Sequence, residues 1–589
     1  MNRLLRIGFK KAGYDYEFLT RIHKNFYDGK YLFADEDRIL VALQKLHASG
    51  ARAVIMQDFD IDGISAGCVL YSGLSLLGFN VSILPPRTKD GYGIRFDDID
   101  RLVATWPDAK AVITCDVGCA SRDEAVYAQS KELWFYVTDH HIEKPGHRTA
   151  DAMMDPSAYD SDVPFKGVCG AWVAWHLVST YAKLAAGPET QALIDKLLLF
   201  VGLGSCGDMM PMIHDTRSAV KASIAEFNKL LDCDDVGEYL GADPDSLPQA
   251  YVAPFENLRA LHFDLMHKKM VKEGDVTDET YSFSYCPLFN SVKRMGGDMR
   301  QIHALLFQRY DWGDTRRTEL FDWLTGLNDK RKATTALLYG QLYGDPRQAL
   351  APYVYLVDAD PGILGLLANK IMEQTGRPCL VLRPEPEKDG YAGSGRTPGW
   401  FDAGGLFETD GVHTDGHEHS FGAFVREDRL MDFWKAADAR YASEAARHAK
   451  ESSGPDPRPV VVMNGRSAYG SDYDFSINGV DDYDVCMEYA HEIQKYRPFG
   501  DCFREPEFII RFTPKDVVTS RAMGSDNSHL RVVLDHNITC VWFGGAAFLK
   551  KLGAAHGDDT SSVFGFSGTF SVNRWNGAES LQFMVSGEA

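Results

Sequence analysis

The 589-residue chain carries 62 Lys and Arg against 83 Asp and Glu, a formal charge of −21. That balance excludes a generic basic nucleic-acid coat, and the length supports three or four domains of ~100 to 200 residues each. Its 11 cysteines contain no CxxC pair and no stretch approaches a membrane span. Reduced thiols in a soluble cytoplasmic protein with no membrane partner are therefore expected.

Three short apolar runs, Ala53-Val54-Ile55-Met56, Ala111-Val112-Ile113-Thr114 and Trp134-Phe135-Tyr136-Val137, read as strands buried on both faces of a parallel sheet. Between them Ile64 to Leu77, stopped by Gly78, and Ser121 to Lys131, with Ser121 and Glu124 in capping-box spacing, predict helices. In such β-α-β-α sheets the ligand lies beyond the carboxyl ends of the strands. Asp58, Asp60 and Asp62 of Gln57-Asp58-Phe59-Asp60-Ile61-Asp62-Gly63, then Asp116, then Asp139-His140-His141, all fall at that edge. So many carboxylates and imidazoles in one crevice would repel one another, and bound cations relieve that repulsion. The mixed donors suit Mn, Mg, Zn or Fe. With no cysteine among them, two Mn2+ or Mg2+ ions fit better than a structural zinc, and substrate binding should depend on the metal.

Leu320, Trp323, Leu324, Leu327, Ala336 and Leu342 recur at loose helical spacing, predicting a long connecting helix over 313–345, with Gly344-Asp345-Pro346 opening a second lobe. That lobe, 346–453, begins with strand Tyr353–Val357, helix Gly362–Thr375 and strand Cys379–Leu382. After the linker Gly454-Pro455-Asp456-Pro457-Arg458-Pro459, short strands at 460–462, 508–512, 530–534, 539–543, 564–566 and 581–585 suggest a small barrel.

These residues resemble the DHH phosphoesterase superfamily, and within it the RecJ-type single-stranded-DNA exonucleases. Asp58-Phe59-Asp60-Ile61-Asp62-Gly63 is similar to the first motif, and Asp139-His140-His141 to the one that names the superfamily. Asp116-Val117-Gly118 is similar to the second, with Val117 where the family has Asn, and Leu203 to Pro211 to the fourth, with Asp208 as a further metal ligand. Pro85 to Gly93 resembles the stretch whose arginine, here Arg87, approaches the terminal phosphate. Pro287-Leu288-Phe289-Asn290-Ser291-Val292-Lys293-Arg294-Met295 is similar to Pro-Arg-Leu-Asn-Ala-Ala-Gly-Arg-Met, with Leu288 replacing an arginine and Lys293 and Arg294 available to compensate. Leu327-Asn328-Asp329-Lys330-Arg331 matches the connecting helix. Gly393-Ser394-Gly395-Arg396-Thr397 and Asp415-Gly416-His417 match the DHH-associated (DHHA1) lobe, Asp415 standing where the family has Gly.

The resemblance implies an α/β protein. A parallel-sheet DHH catalytic domain (1–312), the connecting helix (313–345), an α/β DHH-associated lobe (346–453) and an OB-fold barrel (454–589) follow one another. Pro498 to Phe508 and Asn573-Arg574-Trp575-Asn576-Gly577 with Gln582 match that barrel. It implies a 5′→3′ exonuclease of DNA repair and recombination that releases mononucleotides. Asp58, Asp60, Asp62, Asp116, His140 and Asp208 would hold two metal ions with Asp116 as bridge, and Asp116, Asp139 and His141 would be catalytic. Arg87, Asn290, Arg294, Ser394, Arg396 and His417 would bind substrate phosphate, and a glycine-flanked Ser394 loop lets backbone amides approach an anion. Arg504, Arg531, Trp542 and Arg574 are candidates for the single-stranded-DNA surface, because such barrels stack bases on aromatics beside basic side chains. The protein partners it implies are a single-strand-binding protein or a helicase. The alternatives are a phosphodiesterase of oligoribonucleotides or cyclic dinucleotides, and a non-catalytic replication scaffold.

Overall fold

The computed structural model describes residues 2–22, 24, 33–87, 93–143, 150–311, 313–344, 349–351, 353–401, 412–417, 419–451, 457–465, 473–524, 527–554, 562–575 and 577–589. Residues 88–92, 345–346, 418, 454–456 and 576, and the side chains of Asp415 and His417, all named in the sequence reading, lie outside it. The chain divides into two compact units. One comprises Phe26–Met210 with Ala219–Gly454, the other Met1–Asn25, Pro211–Ser218 and Pro455–Ala589. The chain-order boundaries 1–312 and 454–589 do not draw this grouping.

The first unit opens with a five-stranded parallel sheet in the order β2-β1-β3-β4-β5, formed by β1 (Arg52–Gln57), β2 (Val81–Leu84), β3 (Ala109–Cys115), β4 (Trp134–Thr138) and β5 (Ala152–Met154). Ile55 pairs with Ile83 and Ile113, and Ile113 with Tyr136, so β1, β3 and β4 end side by side. The Ile61–Leu76 helix starts earlier than the sequence predicts, because the Asp60 side chain caps it by accepting from the Asp62 and Gly63 amides. The Arg122–Ser130 helix forms, but Ser121 makes no side-chain cap bond, so the capping box expected there is absent.

The 30-residue Thr315–Gly344 helix leads to a six-stranded sheet, β10-β11-β9-β8-β7-β6. Its strands are β6 (Ala349–Ala351), β7 (Val354–Leu356), β8 (Cys379–Glu385), β9 (Gly390–Arg396), β10 (Val412–His417) and β11 (Ser420–Arg426). Leu364, Leu367 and Ile371 of the Pro361–Thr375 helix pack with Cys379, Val381 and Leu342 in one core. The Gly393-Ser394-Gly395 segment, expected as an anion-binding loop, is strand. Gly395 pairs with Leu380 and Phe421, and a Cβ on it would stand 2.2 Å from the Phe421 ring. Glycine is needed here for packing.

The second unit holds an eight-stranded sheet, β13-β12-β14-β18-β19-β17-β16-β15. In chain order these are β12 (Val460–Met463), β13 (Phe475–Ile477), β14 (Phe508–Phe512), β15 (Val517–Met523), β16 (His529–Leu534), β17 (Ile538–Trp542), β18 (Phe564–Trp575) and β19 (Ala578–Glu588). The strands expected at 460–462 and 508–512 form as β12 and β14 and pair in parallel, and the structure adds β13, parallel to β12, and the Val480–Glu492 helix. Leu4, Leu5 and Phe9 of the Arg3–Lys11 helix are buried in the same core as Tyr489, Phe508 and Phe570. Among the described residues, no helix is long and apolar enough to cross a membrane.

Candidate metal centre and phosphate site

Strand ends gather the acidic residues. β1 runs into Asp58 and Asp60, and β3 ends at Asp116, whose φ of +61° is an uncommon left-handed turn for a non-glycine residue. β4 runs into Asp139-His140-His141. His140 Nε2 lies 3.1 Å from Asp116 Oδ1, 3.3 Å from Asp208 Oδ2 and 3.6 Å from Asp62 Oδ2. Donor atoms within 4.8 Å of one another form three groups: Asp58, Asp60 and Asp116; Asp62, His140 and Asp208; and Asp116, His140 and His141. Asp116 and His140 each belong to two of them, and of the two only the carboxylate has a pair of oxygens with which to bridge ions.

Backbone amides hold this set in place. Asp62 accepts from the Gly170 and Ala171 amides at 2.7 and 3.1 Å, at the start of the Gly170–Ala185 helix, where helix geometry leaves amides unpaired. Gly170 must be glycine, since a Cβ there would stand 2.5 Å from the Asp116 side chain. Sequence reasoning missed this pair of amides; the only signal was a glycine opening the apolar run Ala171-Trp172-Val173-Ala174-Trp175. Asp139, fully buried, accepts from the amides of Cys119, His140 and His141 and meets His141 Nδ1 at 2.8 Å. Both oxygens of this residue, expected as catalytic, are thus engaged by backbone amides or by the His141 ring.

Burial and the neighbouring Asp60 push Asp58 well above the usual carboxylate range, and burial with Asp62 and Asp60 does the same to Asp116. Burial and Asp208 raise Asp60, and raise Asp62 to about 6. Burial alone would lower His140, but Asp208 and Asp62 outweigh it and raise the ring to about 10. Burial also opposes the ionisation of Asp139, yet the His141 hydrogen bond holds it below the ordinary range. Asp116 Oδ1 and His140 Nε2 are buried with no hydrogen bond of good geometry. Orphaned atoms amid mutually repelling carboxylates are what a divalent cation with oxygen and imidazole ligands would satisfy, so the donor set fits such ions.

Beside the acids lies a cationic region. Arg294 is half-buried and held at about 10, by desolvation first and then by Arg331 and Arg396. Burial also lowers Arg331 and Arg396. Asn328 accepts from Arg331 at 2.9 and 3.1 Å, and Arg396 donates to Ser394 Oγ at 3.0 Å. Two guanidiniums that act on a third concentrate positive charge, which favours an anion. Arg331 was seen in the sequence only as part of a helix motif. Arg87 instead lies against Asp98, its Nε 3.2 Å from Oδ1. Asn290, expected on phosphate, accepts from the Ile61 amide at 2.9 Å and so anchors the Asp60-Ile61-Asp62 turn.

Within the second unit, Trp542 is not a surface platform. It packs against Phe548 and Phe566 and over Gly545, because it sits on the inner side of β17. Among the described residues of this unit the exposed aromatics are Tyr16, Tyr473, Phe543 and Trp575, which the sequence reading did not select for the DNA surface. Arg531 lies directly opposite Arg521 across β15 and β16, Arg574 pairs with Glu579 at 2.8 Å, and Arg504 is exposed 3.6 Å from Asp501.

A parallel sheet with acids and a histidine pair at its carboxyl edge is the architecture of a metal-dependent phosphoesterase of the DHH class, and the profile of the DHH family's N-terminal domain matches residues 52–204. The RecJ OB domain profile matches residues 479–587, so a DHH-type domain and a RecJ-type OB domain occur in one chain. The single-stranded-DNA-specific exonuclease RecJ of Bacillus subtilis is 24% identical over 608 residues, covering 100% of this chain and 67% of that protein. The structure of RecJ from Thermus thermophilus in complex with Mn2+ superposes with a TM-score of 0.69 at 18% identity, covering 100% of this chain and 76% of the other. Its Mg2+ complex gives 0.64, also at 18%, with 100% and 74% covered.

Proposed function

We propose that this chain is a metal-dependent exonuclease that hydrolyses the phosphodiester bonds of single-stranded DNA to mononucleotides, from a 5′ end, in repair and recombination. The observation that carries it is one site with two halves: an acid and imidazole cluster with orphaned buried atoms, and beside it Arg294, on which Arg331, Arg396 and Asp60 all act. The names of the relatives supply the single-stranded-DNA substrate and the exonuclease action, and the family resemblance implies the polarity.

In this reading Asp58, Asp60, Asp62, Asp116, His140 and Asp208 hold two divalent ions, Mn2+ or Mg2+. When bound, the ions supply an activated water and offset charge on the phosphate. Asp139 fixes His141 through Nδ1, so that this ring can donate its other proton to a phosphate oxygen. Arg294, Arg396 and Ser394, with Arg87 and His417, grip the terminal phosphate, and a held end makes cleavage exonucleolytic. The functional division follows 1–312, 313–345, 346–453 and 454–589, with the last segment tracking the strand through Arg504, Arg531 and Arg574. Its protein partners would be a single-strand-binding protein or a helicase.

The test is incubation of end-labelled single-stranded DNA, RNA and cyclic dinucleotides with Mn2+. Mononucleotides from DNA alone support the reading. Products from RNA or cyclic dinucleotides alone indicate a small-substrate phosphodiesterase, and products from none indicate a scaffold.

A further inference from the structure

Leu288 stands where the motif this segment resembles has an arginine, and it is 1% exposed, in the interior of the first unit. A leucine there brings no charge to the site. Five residues on, the same Cys286–Arg294 helix carries Lys293, in a motif position where the resemblance has glycine. Its ammonium sits over the ring of Phe59, Nζ 4.0 Å from the centroid, a separation at which the ring face attracts a cation. Phe59 lies between Asp58 and Asp60, and Lys293 acts electrostatically on Asp58, Asp60 and Asp208 together. Lys293 is half-buried, and Asn290 of the same helix bonds the Ile61 amide at 2.9 Å, so helix and acidic turn move as one piece.

The neighbour of Lys293 in sequence is Arg294, which belongs to the arginine group. A strand whose terminal phosphate lies with Arg294 and Arg396, and whose first linkage reaches the carboxylates, therefore passes Lys293. We propose that Lys293, held over Phe59, is a substrate-contacting cation of this chain that binds the phosphate being cleaved and replaces the charge lost at Leu288. This rests on the nuclease reading above. A lysine suits the position because its compact charge on a flexible stem can shift from the ring face to a phosphate oxygen.

The test compares the unmodified chain with Lys293→Gln and Lys293→Arg. Turnover on 5′-phosphorylated single-stranded DNA with Mn2+ is one readout, and calorimetric Mn2+ binding without DNA is a second. The third is the salt dependence of binding to a strand with cleavage-resistant phosphorothioate linkages. Lys293→Gln should lower kcat about tenfold or more, a loss of the size expected when a charge-assisted phosphate contact is removed. It should also flatten the slope of log K against log salt by about 0.7, leave Mn2+ affinity unchanged or tighter, and be largely rescued by Lys293→Arg. Undiminished kcat in Lys293→Gln overturns the inference alone, as does a loss of kcat that comes with weakened Mn2+ binding and an unchanged salt slope. Absence of hydrolysis by the unmodified chain overturns the nuclease reading and the inference with it.

Discussion

At Gly170 one absent methyl group lets a helix start against the acid cluster: its amide reaches Asp62 at 2.7 Å, and a Cβ would stand 2.5 Å from Asp116. Gly170→Ala should therefore cost about 1–3 kcal/mol of stability through overpacking and weaken Mn2+ binding by displacing Asp116. Chemical denaturation and metal titration check both. Two buried histidines outside the site set the acid limit of the first unit. Burial holds His262 at about 4 and His303 at about 3, against an ordinary 6.5. Their folded values are depressed, so the stability they contribute is fully present above pH 6.5. It is lost as pH falls from there towards 3, with a slope approaching about 1.4 kcal/mol per pH unit for each proton taken up. The urea midpoint of unfolding should fall across that window, and less steeply in His303→Phe. An unaltered slope would assign the acid sensitivity elsewhere.

The elements differ in how plainly the sequence announces them. Strands β1, β3 and β4 are read correctly because residues buried on both faces leave continuous apolar runs, and their acidic ends fix the place of the site. Strand β9 is misread, since Gly393-Ser394-Gly395 has loop composition, and only the neighbouring Phe421 ring and Val381 carbonyl explain its glycines. Gly395→Ala should destabilise the chain by about 1–3 kcal/mol and reduce the preference for a 5′-phosphorylated strand by moving Ser394 and Arg396. Thermal melting, with turnover compared on phosphorylated and unphosphorylated ends, checks it. Trp542 and Phe543 show a second limit: Trp542 ends β17 against the core while Phe543 stands exposed in the turn that follows, and composition does not say which of the two faces inward. The contacts of Lys293 and the Gly170 amide join segments far apart in sequence, so no local pattern reports them.

For the molecule as a whole, the first 22 residues belong with the last 130 or so: Phe9, 2% exposed, is buried in a core with Phe503 and Phe508. Chain order concealed this, because an amphipathic N-terminal helix does not say which unit it completes. Phe9→Ala should cost about 3–5 kcal/mol, lowering the melting transition of the second unit while Mn2+ binding by the first is retained. The −21 charge opposes DNA at long range, so strand binding must depend on the local arginines and on loading of the acid cluster. The most direct test of that claim is mononucleotide release from uniformly labelled single-stranded DNA, titrated with Mn2+, for the unmodified chain and for Asp116→Asn. Release that saturates with Mn2+ and falls about a hundredfold or more in an Asp116→Asn protein with undiminished thermal stability is the predicted result. Mononucleotides released at an equal rate by both proteins, or without any divalent ion, would contradict it.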